Sequence, residues 1–210
     1  MLNDKKYWIN ISEEHGYFFW SPAKTGSVHA NVIFSCLNFV SYLSNYDRKI
    51  NHDYSEFPVH HHNLNLFENH QNYKLICTAR NPLNRIFSSF LYTYRQREKL
   101  ITKSEFYKFY ITNIDDTESL WFSGMDFTER KPDYFIRLEH LFSDYMKISF
   151  ISESKFAKSG FLEELCRKKK NPTKIENYNI EDFFTTDMVS DVYQRFQKYF
   201  DELDYKPILK

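Results

Sequence analysis

Two short segments and a run of histidines hold the groups in this chain that can do chemistry. The first segment, YFFWSPAKTGSVHA at residues 17–30, ends an aromatic run at Ser21-Pro22 and turns through Lys24-Thr25-Gly26-Ser27. It then passes at once into an apolar-periodic stretch. Strand, tight loop, helix is the order that aims backbone N–H groups and a helix N-terminus at an anionic phosphate. Only 4 glycines occur in 210 residues, so one standing in this loop marks a crowded point. The second segment, RNPLNRIFSSF at residues 80–90, follows the apolar run KLICTA. Arg80 can fork onto two phosphate oxygens, and the Ser88 hydroxyl can donate to a third. Between the two lies Val59-His60-His61-His62-Asn63. A neutral imidazole, with an ordinary pKa of ~6.5, can take a proton from a hydroxyl near neutral pH. On a strand, alternation puts His60 and His62 on one face and His61 on the other.

These groups need elements to hold them. Tyr17–Trp20, Phe57–His62, KLICTA at 74–79 and Tyr134–Leu138 have the length and composition of strands. Apolar periodicity predicts helices over Ser27–Leu43, Leu64–His70, Leu83–Lys99, Lys103–Ile114, Glu118–Phe122, Glu139–Tyr145, Phe161–Lys169 and Asp187–Leu203. Asn45–Ser55 reads as a polar loop, and Pro82 suits the first position of its helix, where a missing N–H costs little. The expectation is an α/β fold in one domain, a central parallel sheet flanked by helices over residues 17–210. Residues 1–16 read as a polar lead-in. In such sheets ligands bind beyond the carboxyl ends of the strands, where both phosphate-type segments fall.

Composition narrows the function. The 28 basic and 28 acidic residues cancel, which removes any global electrostatic case for a nucleic-acid partner. Cys36, Cys77 and Cys166 are odd in number and widely spaced, and the first two lie in apolar runs. Buried thiols in a reducing compartment are expected rather than disulfides or metal ligands. The polar opening lacks the apolar core of a secretory leader, and no run of ~18 apolar residues occurs. A soluble, cytoplasmic protein without an integral membrane segment is the expectation.

The nucleoside-triphosphate P-loop, GxxxxGK[ST], has lysine after its last glycine, whereas Lys24 precedes Gly26. The strand before Arg80 also lacks the Asp that would hold Mg²⁺ in a metal-dependent nucleotide hydrolase. SPAKTGS at 21–27 and RNPLNRIFSSF at 80–90, in this order, resemble the sulfotransferases that use 3′-phosphoadenosine 5′-phosphosulfate (PAPS). Tyr134–Leu138 with Glu139-His140-Leu141 is similar to a later RxEDL-like segment of that family, and RKKKNPT at 167–173 to the basic loop of some carbohydrate sulfotransferases.

The resemblance implies a P-loop-like sulfotransferase fold and transfer of a sulfuryl group to a hydroxyl or amine acceptor, a carbohydrate by analogy. It implies no metal. It assigns Lys24 to the charge developing on the bridging oxygen. Thr25, Gly26, Ser27 and the N–H of Val28 go to the 5′-phosphate, Arg80 and Ser88 to the 3′-phosphate, and Lys169 and Lys170 to the nucleotide. His62, then His60, is the expected base, with His61, Glu56 and Asp53 as other candidates. Val28 replaces a common Ser or Thr, and His140 replaces an acid.

Plainer readings stand beside these. Lys24 is then a surface lysine, Arg80 a structural partner for an acid, and Ser88 a hydroxyl bonded back to its own turn. The histidines form a metal site or an idle strand end. Arg85 and His29 read as structural, and Arg167–Lys170 as a solvated helix end. Phe106–Tyr110 is either core or the wall of an acceptor cleft. Two other functions remain open: a small-molecule kinase, and a non-catalytic nucleotide-binding protein.

Overall fold

A computed structural model describes residues 8–21, 25–37, 39–43, 59–61, 72–94, 101–114, 131–168 and 178–207. The expected loop at 45–55, the helices at 64–70 and 118–122, and Lys24, Asp53, Glu56, His62, Lys169 and Lys170 lie outside them. The fold is α/β, with a mostly parallel sheet flanked by helices, and the chain divides into two compact units. One comprises residues 1–79 with 127–170, the other residues 80–126 with 171–210.

The first unit holds a six-stranded sheet. Its strands are β1 (Trp8–Ser12), β2 (Tyr17–Ser21), β3 (Val40–Leu43), β4 (Val59–His61), β5 (Lys74–Ala79) and β6 (Tyr134–Arg137). Their order across the sheet is β4-β3-β1-β2-β5-β6. β2, β5 and β6 pair in parallel, as do β3 and β4, while β1 runs antiparallel to both neighbours. Two expectations are corrected here. The sheet is not wholly parallel, and the polar lead-in is not separate from it, because residues 8–12 form a strand in the middle of the sheet. Tertiary pairing overrides the polar composition: Asn10 is fully buried, and its amide donates to Asn31 Oδ1 at 2.6 Å.

Helix α1 (Ser27–Cys36) covers one face of this sheet together with α4 (Leu141–Tyr145), α5 (Ser149–Ser152), α6 (Lys155–Lys158) and α7 (Phe161–Arg167). Strand residues Tyr17, Phe19, Ile76 and Ile136 meet Ala30, Ile33 and Phe34 of α1 in that core, where Phe19 and Phe34 stack with ring centroids 4.0 Å apart. Side chains that alternate to the opposite face, Ile11, Phe18 and Leu75, are buried as well. The helix expected to run to Leu43 ends instead at Cys36. The Leu37 and Phe39 N–H groups both bond the Phe34 carbonyl, and the β-branched Val40 then joins β3. Cys77 is buried as expected, but Cys36, last residue of α1, is exposed. Burial pushes the Cys166 thiol up to about 12, and Glu163 adds to the shift.

The second unit is helical where described. It contains α2 (Pro82–Tyr94), α3 (Lys103–Asn113), α8 (Thr186–Arg195) and α9 (Gln197–Glu202). α3 starts at a capping box in which Thr102 and Glu105 satisfy each other's N–H groups. Phe106 and Phe90 are fully buried at 5.1 Å between ring centroids, and Phe183 and Phe184 close around them. Phe106, Phe109 and Tyr110 are therefore core. The closing helix expected over 187–203 breaks at Phe196, where φ −116° and ψ 22° leave the helical range. Among the described residues no helix is long and apolar enough to cross a membrane.

Candidate functional site

β2 and β5 are parallel neighbours, paired from Tyr17 with Lys74 to Trp20 with Cys77. Both run toward the end of the sheet at which the two phosphate-type segments leave it. Ser21 closes β2 and Thr78 is the penultimate residue of β5; their hydroxyl oxygens lie 2.6 Å apart. Thr25, four residues on, brings its own hydroxyl oxygen to 2.6 Å from the same Thr78 atom. All three residues are at most 1% exposed. Thr25 Oγ1 is thus held against the end of β5.

Gly26 follows at φ 92°, ψ 23°, as the N-cap of α1. An L-residue pays for that left-handed conformation, and a Cβ here would stand 2.8 Å from Leu138 Cδ1. The crowding expected of this glycine is real. A glycine N-cap brings no side-chain acceptor to the first-turn N–H groups, and the first turn of α1 has no acidic residue. The first helical bond joins Ala30 N–H to the Gly26 carbonyl. The amides ahead of Ala30, with the positive end of a ten-residue helix, form an end suited to an anion. Ser27 and Val28 lie in this turn. His29 is buried, with Nε2 2.8 Å from the Leu165 carbonyl, and so serves packing.

Arg80 follows β5 directly and opens the second unit. The residue is half-buried, and its backbone N–H donates to the Tyr199 hydroxyl at 3.4 Å, a long bond. Asn81 Oδ1 accepts from the Leu83 N–H at 3.0 Å, and this cap, with Pro82 next, starts α2 where the sequence predicts. Arg85 is fully buried, which fits a structural role. In this helix the hydroxyls that bond back are Ser89, to the Arg85 carbonyl at 2.9 Å, and Thr93, to the Ser89 carbonyl at 3.0 Å. The Ser88 hydroxyl, on a residue 8% exposed, makes no hydrogen bond among the described residues.

The sheet does not bring His60 and His61 to the same strand pair. β4 is the edge strand, with β3 and β1 between it and β2, roughly 14 Å away at ~4.8 Å per strand. His60 and His61 belong to β4, opposite Tyr42 and Leu43. Of the basic run, Arg167 and Lys168 pair with Glu163 and Glu164 one turn back on α7, as a solvated helix end does.

Three residues here escaped the sequence reading. Thr78 is the polar interruption of an apolar strand, a signal that was legible. Leu138, which crowds Gly26, gives no such signal. Asp144, 1% exposed, accepts from Arg137 Nε and Nη2 at 2.9 Å each, from the Arg137 N–H, and from Lys147 Nζ at 2.7 Å. Burial alone would raise its carboxyl, but the Arg137 and Lys147 bonds outweigh that and hold it below the ordinary value. Arg137 thus has a structural partner, while Glu139 and His140 occupy an exposed 3₁₀ turn. No protein-family model, curated protein or solved structure matches the chain.

Proposed function

We propose that this protein is a PAPS-dependent sulfotransferase acting on a hydroxyl or amine acceptor, a carbohydrate by analogy. The observation that carries the reading is the β2–β5 pair: the two segments leave adjacent parallel strands whose ends are tied through Thr78. Ligand sites in α/β sheets form beyond such carboxyl ends. An α1 N-terminus without a side-chain acceptor or acid supports binding of the 5′-phosphate by the amides from Thr25 to Val28.

In this reaction the acceptor oxygen attacks sulfur and the bond from sulfur to the bridging phosphate oxygen breaks. 3′-Phosphoadenosine 5′-phosphate (PAP) leaves, and the acceptor proton passes to a base. Lys24 balances charge on the departing oxygen. Arg80 and Ser88 bind the 3′-phosphate, with Lys169 and Lys170 as further nucleotide contacts. His62 takes the proton, with His60 as the second candidate; a general base must come within about 3 Å of the hydroxyl.

The 3′-phosphate is what distinguishes this cofactor from other adenine nucleotides, so Arg80 tests the reading. Arg80→Ala should weaken PAP binding by about 2–3 kcal/mol, the worth of charge-assisted bonds, while 5′-AMP affinity stays unchanged. Equal affinity of the wild-type protein for PAP and 5′-AMP would defeat the proposal.

A further inference from the structure

We infer that Thr78 is a positioning residue for the phosphate loop, an inference that rests on the reading above for its ligand but not for its geometry. Thr78 Oγ1 meets both Ser21 Oγ and Thr25 Oγ1, four residues apart in the chain, each at 2.6 Å. A single hydroxyl has one proton, so Thr78 accepts in at least one of the two contacts. With all three residues at most 1% exposed, water cannot replace a lost partner without opening the core. The Ser21 contact is a cross-strand pair that extends the β2–β5 register by one residue. The Thr25 contact does something else. It fixes the residue ahead of Gly26 to β5, and with it the direction in which the first amides of α1 point.

Thr78 faces the same side of β5 as Ile76, whose side chain is in the core with α1. The tether therefore acts within a packed layer. Two residues further along the chain stands Arg80, so one strand end supplies both the anchor of the loop and the proposed cation for the 3′-phosphate.

The test is amide hydrogen exchange at Thr25, Gly26, Ser27 and Val28 in the ligand-free protein, paired with PAP affinity. Thr78→Val keeps the shape and removes the hydroxyl; Thr78→Ser restores it without the methyl group. Thr78→Val should speed exchange at the four amides and weaken PAP binding about tenfold, and Thr78→Ser should return both toward wild type. Ser21→Ala, which cuts only the strand contact, should leave exchange at the four amides near wild type. If Thr78→Val does not fold, Thr25→Val removes the same contact from the loop side and must give the same exchange. Unchanged exchange in the variant that folds overturns the inference, as does exchange that rises equally in Ser21→Ala. Failure of the wild type to bind PAP would strike the sulfotransferase reading alone, because the exchange measurement needs no ligand.

Discussion

Glycine at position 26 leaves undone what serine or aspartate at a helix start would do. A side-chain oxygen there would accept from the second or third amide of α1, and those donors would be spent on the fold. Gly26, at positive φ and against Leu138, offers no such oxygen. The hydroxyls tell a similar story. Thr25 is occupied by Thr78 and Ser89 by the Arg85 carbonyl, whereas Ser88 has no partner among the described residues. The proposed base belongs to this scale too. His62→Ala should lower the transfer rate by roughly a hundredfold or more while PAP affinity hardly moves, and His60→Ala should cost far less. Initial rates with labelled PAPS and a panel of hydroxyl acceptors read this out; an unaltered rate in His62→Ala would reassign the base. The loop glycine was legible because a chain with only 4 glycines has few other reasons to place one after a strand. Thr78 was passed over because one hydroxyl inside KLICTA looks like β-propensity until its two partners are in view.

At the scale of elements, the end of β6 is fixed by a single acid. Asp144 binds the guanidinium and the N–H of Arg137, so α4 and the strand end are joined through one carboxylate. Asp144→Asn should destabilise the protein by about 3 kcal/mol, the low end for breaking a buried pair, because Arg137 and Lys147 keep 18% and 60% exposure and can rehydrate. The wild-type carboxyl has its value lowered by folding. Its contribution is therefore complete above the unfolded value near ~3.9 and fades as pH falls through the folded one. Chemical denaturation of both proteins from pH 6 downward should show the gap narrowing in acid; a gap independent of pH would contradict the assignment. KLICTA, α2 and α3 were readable because local pattern and caps agree there. β1 was not, since Asn10 and Ser12 look solvent-facing until β2, β3 and Asn31 surround them. Nor was the break at Phe196, which has neither proline nor glycine to announce it.

At the scale of the whole molecule, a net charge of zero means that binding of an anionic nucleotide must come from local groups rather than a global field. Helix ends, loop amides and single cations can supply that, and in the proposed reaction they do so without the metal that kinase chemistry uses. The α/β class was legible from strands alternating with helices. The strand order was not, because which strands pair is decided by tertiary contacts far apart in the chain: β1 comes to lie between β2 and β3, and β4 ends up at the edge. That order leaves the two phosphate-type segments on adjacent strands. Calorimetric titration of the full chain with PAP in a chelator, against ADP with Mg²⁺, tests this most directly. Metal-free binding of PAP at least tenfold tighter than that of ADP is the expected result. Tighter binding of ADP that depends on Mg²⁺ would contradict the account.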